Sequence, residues 1–355
     1  MQDQAFSSLA TPQPLDLGRG SWQDYVYDDR PYFVYTPANY HVGTAVPLVV
    51  VLHGCLETPI DIAAGSRMNQ LADQQQFLVV YPQHATPDPR DVNPMLCWNF
   101  FYVDNQRRGS GEPASLAGIV QSVVNNTSHW TIDRQRIYVT GISSGGAMAV
   151  ILGATYPDLF TAIGVHSGCE YQWAQWPSPL PLSQPAAAAG EAPGPVAVAP
   201  PSDADVFFHE GFLSVLPPGP DPIIQGKKAH EAMGSFARVV PTIVFHGTDD
   251  QFVNPINGDQ VVQQWLRTNH LASGGTFTAA FKHPSSATSG QVPGGRSYSV
   301  STWKDAHGGD VLSYWKVDGM GHAWSGGSPS RPFMDPLGPS ASLAMYQFFL
   351  AHALA

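Results

Sequence analysis

Residues Gly141-Ile142-Ser143-Ser144-Gly145 spell G-x-S-x-G, a spacing that presents a serine hydroxyl as a nucleophile at a sharp strand-to-helix turn. The flanks fit that reading: Ile137-Tyr138-Val139 is strand-like, and the small residues that follow Gly145 suit a helix. Glycines at 141 and 145 allow a tight turn and leave the Ser143 hydroxyl clear of neighbouring side chains. A helix starting near Ser144 also aims free N–H groups at the point where negative charge develops in acyl transfer. A Ser/Gly turn without function has the same letters. The motif therefore needs a base, an acid and an oxyanion hole from elsewhere in the chain.

An acid is expected after the nucleophile, at a later strand end. Pro241–Phe245 reads as a buried strand, and His246-Gly247-Thr248-Asp249-Asp250 follows it with two carboxylates in a polar turn. Asp in such a turn is also ordinary turn chemistry. The order Ser, acid, His leaves His270, His283, His307, His322 and His352 as bases. His322 stands apart because glycines surround it in Gly319-Met-Gly-His-Ala-Trp-Ser-Gly-Gly327, a loop that lets an imidazole approach Ser143. For the oxyanion hole, one N–H is expected from Ser144. The other is expected from Cys55, in His53-Gly54-Cys55 at the end of an early apolar strand.

Rival chemistries are poorly supported. His230-Glu231 and His209-Glu210 lack the second histidine of H-E-x-x-H, so no metal site is expected. Gly109-Ser-Gly111-Glu-Pro-Ala114 matches G-x-G-x-x-A in letters, but no apolar strand precedes it, and no dinucleotide or other cofactor is expected. A net charge of −11 argues against nucleic acid and anionic membrane surfaces as partners. No apolar stretch reaches the ~20 residues that span a bilayer. Hydrophobic residues at 43% supply a sizeable core for the 355-residue chain, while charged residues are only 13%. That sparse charge, with 32 Pro, 34 Gly and 9 Trp, suits a secreted protein acting on a polymer. Met1-Gln2-Asp3-Gln4 has no basic start and no apolar core follows it, so either a signal peptide has been removed before this point or the protein stays in the cytosol.

The positioning elements are legible as alternating strands and helices. Strands are expected at 25–35 as a pair turning at Asp28-Asp29, and at 47–53, 77–81, 137–139, 160–165, 240–245, 277–281, 297–303 and 311–317. Helices are expected at 61–75, 113–124, 145–155 and 341–354. This alternation implies an α/β fold with a mostly parallel, doubly wound sheet. A Pro/Ala-rich stretch at about 176–205 interrupts it and reads as an insertion within one domain spanning 1–355.

Several segments together resemble the poly(3-hydroxybutyrate) depolymerase family of esterases. They are Leu52-His-Gly-Cys55, Met68-Asn-Gln-Leu-Ala-Asp73, Cys97-Trp-Asn-Phe100, Arg108-Gly-Ser-Gly-Glu-Pro-Ala114, Gly141–Met148, His246-Gly-Thr-Asp-Asp250 and Gly319–Gly327. The resemblance covers roughly 30–170 and 235–330, and feruloyl and acetylxylan esterases share much of it. It implies an α/β-hydrolase fold, secretion, and a serine esterase with nucleophile Ser143, acid Asp250 rather than Asp249, and base His322. The 176–205 segment is longer than the resemblance implies.

A Cys55–Cys97 disulfide is expected, tying the oxyanion loop to the Cys-Trp-Asn-Phe segment, with Cys169 left as a free thiol. Trp98, Phe100 and Trp324 lie beside the presumed catalytic loops and are expected to line an open apolar cleft for a chain of ester units. The expected partner is a polymeric or small ester, met by a monomer. Short-chain polyester is the first reading and plant-polysaccharide esterase the second. A non-catalytic binding protein on the same fold is the remaining one, and it normally betrays itself by a missing triad residue.

Overall fold

The computed structural model describes residues 15–84, 95–178 and 216–354, so most of the 176–205 segment lies outside the described residues. A ten-stranded sheet forms the centre of these residues. Its strands are β1 (Ser21–Tyr27), β2 (Arg30–Thr36), β3 (Val46–Leu52), β4 (Leu78–Pro82), β5 (Ile132–Ile142), β6 (Ala162–His166), β7 (Thr242–Gly247), β8 (Ser286–Gln291), β9 (Ser297–Lys304) and β10 (Asp310–Val317). They run in the order β1-β2-β4-β3-β5-β6-β7-β10-β9-β8. From β4 to β10 the neighbours are parallel; antiparallel pairs close both ends. β6 and β7, which flank the undescribed stretch in sequence, pair directly with each other.

Helices cover both faces. On one side lie α3 (Gly111–Asn125), α4 (Ser144–Thr155), α5 (Pro222–Met233) and α6 (Ile256–Ala272). On the other lie α1 (Pro59–Ser66), α2 (Met68–Gln75) and α7 (Ala341–Leu350). β3 shows why its apolar run is unbroken. Leu48, Val50 and Leu52 point into one core while Val49 and Val51 point into the other.

Three expectations are corrected. The helix at 61–75 is two helices, because Arg67 adopts φ 59° and breaks the chain between α1 and α2. The strand at 277–281 is absent: Phe277 is a buried anchor, and the edge strand is β8, whose polar residues reveal nothing by pattern and form a strand by pairing with β9. The closing helix ends at Leu350 rather than 354. Two further helices, α5 and α6, have weak signals in the sequence. α5 exposes Ile223 and Ile224 while burying Gln225, the reverse of an amphipathic signal. In α6 the buried polar Asn269 donates to the Val240 carbonyl (3.0 Å) and accepts from its N–H (2.8 Å), which dilutes the apolar stripe.

Cys55 and Cys97 form the expected disulfide, and Cys169 is a free, buried thiol whose pKa burial pushes up. Denatured, unreduced protein is therefore expected to titrate one thiol with Ellman's reagent. Replacing both bridged cysteines by serine should cost about 4 kcal/mol, from the chain entropy of a loop of this length, read as a lowered denaturant midpoint.

Candidate active site

Four loops meet at the carboxyl ends of the parallel strands, where open α/β sheets place functional groups. They follow β3, β5, β7 and β10. At the end of β5 the chain reverses through Ser143, with φ 58° and ψ −122°, and α4 starts at the next residue. The glycines serve this turn by letting backbones touch. A Cβ on Gly145 would sit 2.4 Å from the Leu52 carbonyl oxygen, and one on Gly141 would sit 2.5 Å from the Gly145 carbonyl carbon. The Ser143 N–H donates to the His166 carbonyl (2.9 Å), pinning the turn to the neighbouring strand.

The loop after β7 is laced to the loop after β10. Thr248 N–H donates to the Val317 carbonyl (3.0 Å), Asp249 N–H to the Met320 carbonyl (3.0 Å), and Gly319 N–H to the Thr248 hydroxyl (2.8 Å). This lacing sets Asp250 against His322. The buried Asp250 accepts from His322 Nδ1 at 2.9 and 3.1 Å, and from the N–H groups of Phe252 and Val253, each at 2.9 Å. Asp249 is exposed. Burial pushes the Asp250 carboxyl up, but His246 and His322 together outweigh it and hold the group well below the usual carboxylate range. With Nδ1 donating to a carboxylate, Nε2 of His322 is the nitrogen left to accept a proton.

The loop after β3 has a second, neutral histidine. His84 N–H donates to His53 Nε2 (3.1 Å), so the proton lies on His53 Nδ1, which donates to the Gly54 carbonyl (2.8 Å). Burial pushes the pKa of His53 down to about 4, keeping it uncharged. Gly54 C=O and Cys55 N–H belong to one peptide plane, so this bond also orients the Cys55 N–H. His166 is held in the same manner. Ser325 N–H donates to its Nε2 (3.0 Å), its ring stacks on Trp324, and burial sets its pKa well below the ordinary value. Sequence reading missed His166. Its signal was a polar residue ending a buried strand beside the motif.

Trp98, Phe100 and Trp324 do not line an open cleft. They are 0, 5 and 0% exposed, and they serve as packing under the loops. Trp98 donates its indole N–H to the His53 carbonyl (3.0 Å) and its backbone N–H to the Ser144 hydroxyl (3.3 Å). Trp324 donates its indole N–H to the Ser342 hydroxyl (3.1 Å). The aromatic rings beside His322 are instead the half-buried Phe252 and Phe333, at 5.5 and 6.1 Å between centroids. Among the described residues, no group of His, Cys, Asp and Glu is placed to hold a metal ion, and no helix is long and apolar enough to cross a membrane.

Beneath the loop after β3 lies a buried ionic cluster. Glu112, at the start of α3, is 3.7 Å from the Arg30 guanidinium and 3.2 Å from His84 Nε2, and it accepts the Asn99 N–H at 2.7 Å. Burial pushes the Glu112 carboxyl up; His84 and Arg30 overcome this and lower it. Glu112→Ala strands a buried guanidinium and should destabilise the protein by about 3–5 kcal/mol in urea unfolding at pH 7. A depressed carboxyl contributes stability that is full above its unfolded pKa of about 4 and is lost as pH falls through the lower folded value. The gap between variant and wild type should therefore shrink at pH 3.

The chain is similar to known esterases. Residues 31–179 match the family described as esterase PHB depolymerase. The chain is 29% identical over 336 residues to poly(3-hydroxyalkanoate) depolymerase C of Paucimonas lemoignei, covering 92% of this chain and 67% of that protein. It is 34% identical over 148 residues to feruloyl esterase B of Neurospora crassa, covering 37% of this chain and 45% of that protein. An acetyl xylan esterase from Aspergillus awamori superposes with a TM-score of 0.65 at 21% identity, over 94% of this chain and 100% of that one. The architecture is the α/β-hydrolase fold. Through residues 31–179 the chain is similar in sequence to the family described as esterase PHB depolymerase.

Proposed function

We propose that the chain is a secreted serine ester hydrolase of one catalytic domain, with Ser143 as nucleophile, His322 as base and Asp250 as its orienting acid. The observation that carries this reading is the Asp250–His322 pair at 2.9 Å, on loops that converge with the Ser143 turn at one end of the sheet. In the first step Ser143 Oγ attacks the ester carbonyl carbon while His322 Nε2 takes the hydroxyl proton. The N–H groups of Cys55 and Ser144 stabilise the oxyanion of the tetrahedral intermediate. Collapse breaks the C–O bond and the imidazolium returns its proton to the departing alcohol. A water molecule, deprotonated by the same histidine, then releases the acid and restores Ser143.

The Cys55–Cys97 disulfide supports an oxidising, extracellular setting. For the substrate, short-chain polyester is favoured by the depolymerase relative, whose match runs over 92% of the chain. Phe252 and Phe333 beside His322 offer apolar contact to such a chain of ester units. Acyl esters on plant polysaccharide are the second reading, favoured by the feruloyl esterase relative, whose match runs over 37% of the chain.

Two measurements test these roles. Ser143→Ala should lower kcat on p-nitrophenyl butyrate by roughly four orders of magnitude or more with the fold intact. Asp250→Asn should be far more damaging than Asp249→Asn, and the reverse ranking would assign the acid to the wrong residue. For the substrate, product analysis on poly(3-hydroxybutyrate) film beside methyl ferulate and acetylated xylan should show hydroxybutyrate monomer or oligomers. Release from ferulate or xylan alone would move the assignment to the second reading and leave the triad standing.

A further inference from the structure

Glu57 is a fully buried carboxyl that the mechanism above leaves unused. It follows the oxyanion loop and is 1% exposed. Its Oε2 accepts the Gly54 N–H at 2.7 Å, while Oε1 is buried with no hydrogen-bond partner. The position a Gly54 Cβ would take lies 3.0 Å from Glu57 Oε2 and 3.3 Å from Ser143 Cβ. The carboxyl and the nucleophile thus lie on either side of the same glycine, where a side chain would be crowded by both.

We propose that Glu57 is a positioning residue that holds the Gly54 amide, and with it the Cys55 donor, against Ser143. This rests on the reading of Ser143 and Cys55 given above. Two bonds grip the Gly54 unit from opposite sides. Glu57 accepts its N–H, and His53 Nδ1 donates to its carbonyl at 2.8 Å. Without Glu57 the Gly54 amide is left buried and unpaired, and the peptide is free to tilt away from the oxyanion position.

The charge state follows from the surroundings. Burial pushes the Glu57 carboxyl up to about 8, against a smaller lowering by the Gly54 N–H. Asp61 of α1 raises it further, although Asp61 is itself paired with Arg331 at 3.5 Å. On the far side of Gly54, His53 stays neutral across this range because burial pushes its pKa down to about 4. Below about 8 the group is therefore a neutral acid. Above that value it becomes an anion next to the site where the ester oxygen must itself become negative. Like charges at short range in a water-poor site oppose that step. Activity should fall as the pH rises.

The test is the pH profile of kcat on p-nitrophenyl butyrate, corrected for spontaneous hydrolysis, in wild type, Glu57→Gln and Glu57→Ala. Glutamine keeps an oxygen for the Gly54 N–H and cannot ionise. Glu57→Gln should retain wild-type kcat within about threefold at pH 7 and lack the fall expected of wild type above about pH 8. Glu57→Ala should lose roughly tenfold or more in kcat at every pH, with KM little changed, because the donor and not the ground-state contact is disturbed. Should the alanine variant fail to fold by circular dichroism, the glutamine profile decides alone. An alkaline fall that persists unchanged in Glu57→Gln overturns the proposal. Retained turnover in Ser143→Ala would instead overturn the underlying reading, so the two failures are separable.

Discussion

The site depends first on the backbone conformation of one residue. Ser143 holds φ 58° and ψ −122°, a region that residues with a Cβ seldom occupy and that costs on the order of 1–3 kcal/mol. Local sequence does not supply that energy. It is met by the surroundings: the end of β5 runs within van der Waals contact of the β3 carboxyl end, and Gly141 and Gly145 let the strands and α4 approach to that distance. The His166 carbonyl then accepts the Ser143 N–H. Any side chain at either glycine would push α4 off the sheet and release the turn.

Around that turn, buried histidines act as neutral connectors. His53 and His166 each receive a backbone N–H on Nε2, so each ring's proton is committed to Nδ1. Burial keeps both rings uncharged, and they hold fixed orientations without adding charge beside the Ser143 turn. His322 differs in its partner. Its Nδ1 faces a carboxylate, which favours a positive ring when it accepts a proton. Three imidazoles in one region thus carry different roles, set by whether the ring faces a peptide group or an anion.

The disulfide and the Trp98 bonds make the β3 and β5 loops a single unit. Cys97 is joined to Cys55, and the adjacent Trp98 N–H donates to the Ser144 hydroxyl, so one short segment touches both residues expected to supply oxyanion donors. The Glu112 cluster anchors that segment through Asn99. Shape here is maintained by polar bonds under the loops, while the large aromatics fill the space between them.

Much of this was open to reading from the letters alone. Apolar runs such as 47–53 announce strands buried on both faces, because no polar residue is tolerated on either side. G-x-S-x-G, the paired carboxylates after a strand and the glycine-flanked His322 name candidates because few residue types can do acyl-transfer chemistry. What the letters could not decide is contact. Whether Asp249 or Asp250 turns inward depends on hydrogen bonds between two loops about seventy residues apart in the chain. Whether Trp98 and Trp324 face a cleft or a core depends on what packs over them, and both are covered. β8 and α5 have no periodic signal because their neighbours, β9 and α6, and not their own side chains, define them. The residue types were local in sequence; the geometry, the lowered Asp250 carboxyl set by His246 and His322, and the neutrality of His53 and His166 set by burial exist only in the folded chain.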